Sequence, residues 1–112
     1  MTDEELNRRI AEWAAIKIKR YNNDTHRHYW FGDGWYQDEP DFTHSLDALF
    51  KWAVPKLGGM VIEFFSPDGI DTDWVCRIPF WKSHYLGLEY IGETPALALA
   101  RAIKSLIDQE EE

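Results

Sequence analysis

Hydrophobic residues recur along this chain at two spacings, three-to-four and two, and the switches between them mark its elements. The clearest helical stretch is 93–107. There Thr94 is placed to cap, Pro95 fits a first turn that does not need its N–H, and Ala96, Leu99, Ala100, Ile103, Leu106 and Ile107 share one side. Arg101, Lys104, Ser105 and Asp108 share the other. So wide an apolar face has to press against something, and a sheet is the expected partner. An earlier helix opens at the capping box Thr2-Asp3-Glu4-Glu5 and packs through Leu6, Ile10 and Trp13. A third is expected after residue 41, capped by Asp41 or Thr43, with Leu46, Leu49, Phe50, Ala53 and Leu57 on one face. Pro55 should kink or end it, and Gly58-Gly59 stops it.

Between the helices the period is two. Ile16–Tyr21 alternates, Asn22-Asn23-Asp24 turns, and Thr25–Phe31 returns as a second strand. Gly32-Asp33-Gly34 turns again, so Trp35-Tyr36 is a short return or the start of an acidic loop, Gln37–Asp41. Met60–Phe65 is a buried strand by composition, followed by a turn at 66–69. In the next strand Trp74, Cys76, Ile78 and Phe80 fall on one side, and Val75, Arg77 and Trp81 on the other. Leu86, Leu88 and Tyr90 alternate after a break at Lys82-Ser83-His84. The order α-β-β-α-β-β-β-α, joined by hairpins, predicts an α+β fold in which helices pack on a mainly antiparallel sheet.

Composition narrows the class. A chain of 112 residues supports one domain, here with a short acidic disordered tail expected at 109–112. Hydrophobic content of 45% and six Trp argue against general disorder. No apolar run approaches the ~20 residues that span a bilayer. Met1–Glu5 is acidic and lacks a secretory pattern, so a cytoplasmic protein is expected. The single cysteine, Cys76, rules out an internal disulfide and a cysteine zinc site. The net charge of −8 makes direct nucleic-acid binding the weaker expectation beside protein contact. The charge is unevenly spread, however. Arg8, Arg9, Lys17, Lys19, Arg20 and Arg27 are half of the 12 basic residues, whereas 28–50 has none.

Three segments resemble the phage ABA sandwich domain, a family of small phage and prophage proteins. Residues 5–13, Glu-Leu-Asn-Arg-Arg-Ile-Ala-Glu-Trp, are like its first helix. Pro40-Asp41-Phe42-Thr43-His44-Ser45-Leu46-Asp47-Ala48-Leu49 is similar to its proline–aspartate–aromatic lead into the central helix. Glu93-Thr94-Pro95-Ala96-Leu97-Ala98 looks like the threonine–proline start of its closing helix. The resemblance implies an α/β/α sandwich of mobile-element origin and brings no catalytic residues.

Candidate chemistry is sparse. His26 and His28, at i and i+2, can point the same way on a strand, but no further ligand stands at a recognised spacing, so no metal site is assigned. Asp68–Asp73 lacks the order of an EF-hand loop, and Gly32-Asp33-Gly34 lacks the Lys and helix of a phosphate loop. Cys76 sits mid-strand among apolar residues, and no Ser lies in a nucleophile elbow. These readings point away from an enzyme and require no cofactor. Lys19, Arg20, Tyr21, Arg27, Tyr29 and Phe31 would suit base stacking, unless their rings are the core side of the sheet. The favoured partner-binding surface is Asp33, Trp35, Tyr36, Asp38, Glu39 and Asp41, aromatics with an acidic rim and no balancing cation.

The expectation is therefore a non-catalytic phage or prophage accessory protein that binds and modulates a host protein or complex, such as an anti-defence inhibitor of the anti-CRISPR type. One alternative is a small-ligand protein that binds a nucleotide signal near Arg8, Lys19 and Arg27; a second is a metal-dependent enzyme built on His26 and His28.

Overall fold

A computed structural model of the chain describes residues 2–20, 27–58, 60–66, 74–81 and 84–111. The capping box forms as read: Thr2 accepts the Glu5 N–H at 3.2 Å and opens α1 (Asp3–Ala14). Next come β1 (Lys17–Arg20), β2 (Arg27–Trp30) and β3 (Trp35–Gln37), paired in that order as an antiparallel sheet. Trp35-Tyr36 is thus a short return strand, and it lengthens the expected order by one element.

The second helical segment starts later than expected. Ser45, not Asp41 or Thr43, is its cap and accepts the Ala48 N–H at 3.1 Å. The segment has three parts, α2 (Leu46–Ala48), a π-helical turn (Leu49–Ala53) and α3 (Val54–Leu57). Pro55 accounts for the widening, because it has no N–H to continue the α pattern, and the residue before it, Val54, bonds back to the Leu49 carbonyl. Leu49, Ala53 and Leu57 are buried, but Phe50 turns to solvent at 45% exposure. The wider turn rotates Phe50 off the expected apolar face.

The second sheet pairs β4 (Met60–Phe65), β5 (Trp74–Trp81) and β6 (His84–Gly92), again antiparallel. Thr94 accepts the Leu97 N–H at 3.1 Å, and Pro95 begins α4 (Pro95–Glu111). The fold is α+β, with two three-stranded sheets where one was expected. The helix α4 packs on β5 and β6 and against α1. Leu99, Ile103, Leu106 and Ile107 are fully buried, each stabilising by about 1.5–3 kcal/mol relative to exposure. Leu97, Ala98 and Ala102 are buried too, so the apolar face is wider than periodicity suggested. At its far end Arg9 meets Asp108 at 3.4 Å, and the Trp13 indole donates to Glu110 at 3.3 Å. Residues 109–111, where an acidic tail was expected, continue the helix.

Pro79 lies in β5, the central strand, where it lacks the N–H that another residue could give to one neighbouring ladder. Both ladders shift there. Val61 pairs with Phe80 but Glu63 with Arg77, and Ile78 pairs with Leu88 but Phe80 with Tyr85. Gly87, at φ 63°, takes the left-handed conformation that the second irregularity needs. One extra residue on β5 reverses the side-chain phase. Trp81, expected beside Val75 and Arg77, consequently joins Cys76 and Ile78 in the core and donates from Nε1 to the Leu57 carbonyl at 3.2 Å.

Candidate functional site

The loop from β3 to α2 is stitched to α1 by the adjacent side chains of Asn7 and Arg8. The Asn7 carboxamide works in both directions, accepting the Thr43 N–H at 3.0 Å and donating to Asp41 at 3.4 Å. Asp41 also accepts from the Thr43 hydroxyl at 3.0 Å and meets His44 Nδ1 at 2.9 Å. From the next residue of α1, Arg8 Nε donates to Glu39 at 3.1 Å, and the buried Tyr29 hydroxyl donates to the same carboxylate oxygen at 3.1 Å. Arg27 pairs with Glu12. On the other side of the loop, Asp33 accepts from Tyr36 at 3.0 Å and meets Lys51 at 3.2 Å.

These contacts set the charge states. Burial alone would raise the Glu39 carboxyl, but its own backbone N–H, Arg8 and Tyr29 outweigh that and hold it below the usual range. Burial, helped by the neighbouring Glu39 charge, pushes the Tyr29 hydroxyl up to about 12. Hydrogen bonding to Asp41 raises His44. The Asp41 carboxyl is lowered: a desolvation effect that would raise it is outweighed by His44, Thr43 and Asn7.

The expectation that no cation balances this loop is thereby corrected. Arg8 and Lys51 do so, brought from helices distant in sequence, as does His44 when protonated. Asp33, Glu39 and Asp41 have their hydrogen bonds within the fold. Asp38, at φ 62°, is exposed and continues the β2 ladder by donating its N–H to the Arg27 carbonyl at 3.0 Å. Tyr36 packs inward against Phe31 and Trp52, with ring centroids 5.9 and 5.0 Å away. Trp35 instead turns outward and is 41% exposed.

The basic residues proposed for a small ligand do not converge. Arg8 and Arg27 face Glu39 and Glu12, while Lys19 lies over the Trp35 ring at 4.4 Å. Of the residues proposed for base stacking, Tyr29 and Phe31 belong to the inner side, and Tyr21 lies outside the described residues. His26 lies outside them as well. Among the described residues no three His, Cys, Asp or Glu side chains come together as a metal site. A groove of about 280 Å³ runs between α1, β6 and α4, lined by Asp3, Leu6, Tyr90, Arg101 and Lys104. Arg101 there donates to the Ile91 carbonyl at 2.5 Å, and Lys104 pairs with Asp108 at 2.5 Å. No described helix is long and apolar enough to cross a membrane.

Sequence reasoning missed Lys17 and Trp30, which the β1–β2–β3 ladder sets beside Trp35: Lys17 opposes Trp30, and Trp30 opposes Trp35. The signal was the parity of the strands on either side of Gly32-Asp33-Gly34. Comparisons with protein-family models, curated proteins and solved structures find no match.

Proposed function

We propose that the chain is a non-catalytic binding protein that engages and modulates a host protein or complex in the host cytosol, in the manner of a phage or prophage accessory protein. Inhibition of a host defence effector is the form of this reading that suits a small acidic protein. The phage attribution rests on the resemblance of the three helix starts.

The observation that carries the binding reading is Trp35, an exposed indole at the edge of a loop pinned on both sides by Arg8–Glu39, Asn7–Thr43 and Lys51–Asp33. An aromatic anchor on a pre-ordered surface loses little entropy on binding, which is the usual character of a contact hot spot. Asp33 and Asp38 supply an exposed acidic rim beside it.

The test is capture from a nuclease-treated host lysate by the tagged protein, with Trp35→Ala and Asp38→Lys alongside. A single stoichiometric complex held by the wild type and lost from Trp35→Ala is the expected result. Equal capture by both variants would remove the surface, and a blank would remove the function.

A further inference from the structure

We infer that the outer face of the β1–β2–β3 sheet binds single-stranded nucleic acid, with unpaired bases on Trp30 and Trp35 and phosphates at Lys17 and Lys19. The ladder dictates the arrangement. Strand alternation sends Ile18, Tyr29 and Tyr36, which lie in register, to one side of the sheet. That side is the interior: Tyr29 is fully buried and Tyr36 lies against Trp52. The opposite side then carries two rows in register, Lys17–Trp30–Trp35 and Lys19–His28–Gln37.

Two features set this face apart from an ordinary solvated one. A sheet face turned to water is expected to be polar, yet this one carries two of the six indoles. Their centroids lie 5.5 Å apart and their planes are tilted by 56°, with Trp35 41% exposed. The second feature is charge. None of the six positions holds a carboxylate, although Asp and Glu outnumber Lys and Arg by 20 to 12 in the chain. Lys17 and Lys19 are both exposed, and the Lys19 ammonium already sits 4.4 Å from the Trp35 centroid.

Those features together select the occupant. Flat indoles offer stacking surface to any unpaired base, and the flanking ammonium groups match a phosphate backbone. The tilt between the rings suits two bases splayed apart, as happens when single strands cross a sheet, and not a continuous stack. Duplex bases, stacked on one another, cannot use such a platform. Asp33 and Asp38 beside Trp35, with the net negative charge of the chain, repel a long strand, so the contact spans only a few nucleotides and its affinity is modest.

The experiment uses the intact chain and a fluorescently labelled short oligothymidylate, followed by anisotropy and by quenching of tryptophan emission. Binding is expected, weakened about tenfold or more in Trp35→Ala. Between roughly 50 and 200 mM salt, log affinity should fall against log salt with a slope of about −1.4, for two phosphates at about −0.7 each. Lys17→Gln with Lys19→Gln should flatten that slope, and Phe50→Ser, away from the sheet, should change nothing. The proposal is overturned if no binding occurs, if Trp35→Ala binds as well as wild type, or if polyglutamate competes as well as unlabelled oligothymidylate. The last outcome would give the face to an acidic protein segment. Failure here leaves the capture of a host protein from nuclease-treated lysate untouched.

Discussion

The indole N–H of Trp81 donates to the Leu57 carbonyl across 3.2 Å, tying the end of β5 to the last residue of α3. Leu57 lies at a helix end, where carbonyls have lost their intrahelical partners. Trp81→Phe retains most of the buried ring but leaves that oxygen without its donor, a loss of about 1–3 kcal/mol. Urea denaturation followed by circular dichroism should show a lower midpoint at unchanged slope. A midpoint equal to wild type would mean that the bond contributes nothing.

At Gly92, β6 runs close against the backbone of α4. A Cβ there would lie 2.5 Å from the Ala98 nitrogen and 3.0 Å from the Leu97 carbonyl carbon. Both are backbone atoms of a helix that is buried on most sides, so relief requires α4 to shift as a body. Gly92→Ala is therefore expected to cost at least as much as ordinary core overpacking, about 1–3 kcal/mol. Calorimetry should show a melting temperature lowered by roughly 4 °C or more. An unchanged melting temperature would show that the strand and helix can separate freely.

The first and last helix starts were legible because caps act over four residues, whereas the cap of the second fell at Ser45 and not at Asp41 or Thr43. Thr2 and Thr94 could be placed from their neighbours alone. The phase of β5 was not, because alternation assumes an unbroken ladder. Both ladders shift beside Pro79, and whether a proline ends a strand or sits at a bulge depends on partners distant in sequence. The loop carboxylates failed for a related reason. Asp33, Glu39 and Asp41 stand in a segment without basic residues, yet Lys51 and the Arg8 and Asn7 side chains of α1 reach them in space. Spacing on one strand likewise says which residues share a face, but not which face is covered. Tyr29 and Trp30 are adjacent and equally aromatic, and only the position of the helices makes one core and the other platform.

Cys76 is fully buried on the side of β5 that faces α4, and burial pushes its thiol up to about 12. The native protein should resist alkylation at pH 8 for as long as it stays folded. Added denaturant should release one reactive thiol along the unfolding transition. Fast labelling of the native protein would place β5 in an open local equilibrium far below global stability.

Glu39 gives the fold a specific acid sensitivity. Its carboxyl is lowered in the folded state, so its contribution is present above the ordinary glutamate value near 4.3 and disappears as pH falls through the folded value. Asp33, Asp41 and Asp108 are lowered as well and act in the same direction. His44 is raised, so its contribution is complete below about 6.5 and fades as pH rises through its folded value, in a separate window. Comparing wild type with Glu39→Gln isolates the one carboxylate. Arg8 is 56% exposed, and solvent screening holds the expected loss at pH 7 to about 1 kcal/mol. Stability measured by urea titration at successive pH values should show the two proteins converging as pH falls below the ordinary glutamate range. A difference that persists unchanged down to the acid unfolding of the protein would mean that Glu39 acts through packing and not through charge, and that the Arg8 pair does not hold the loop.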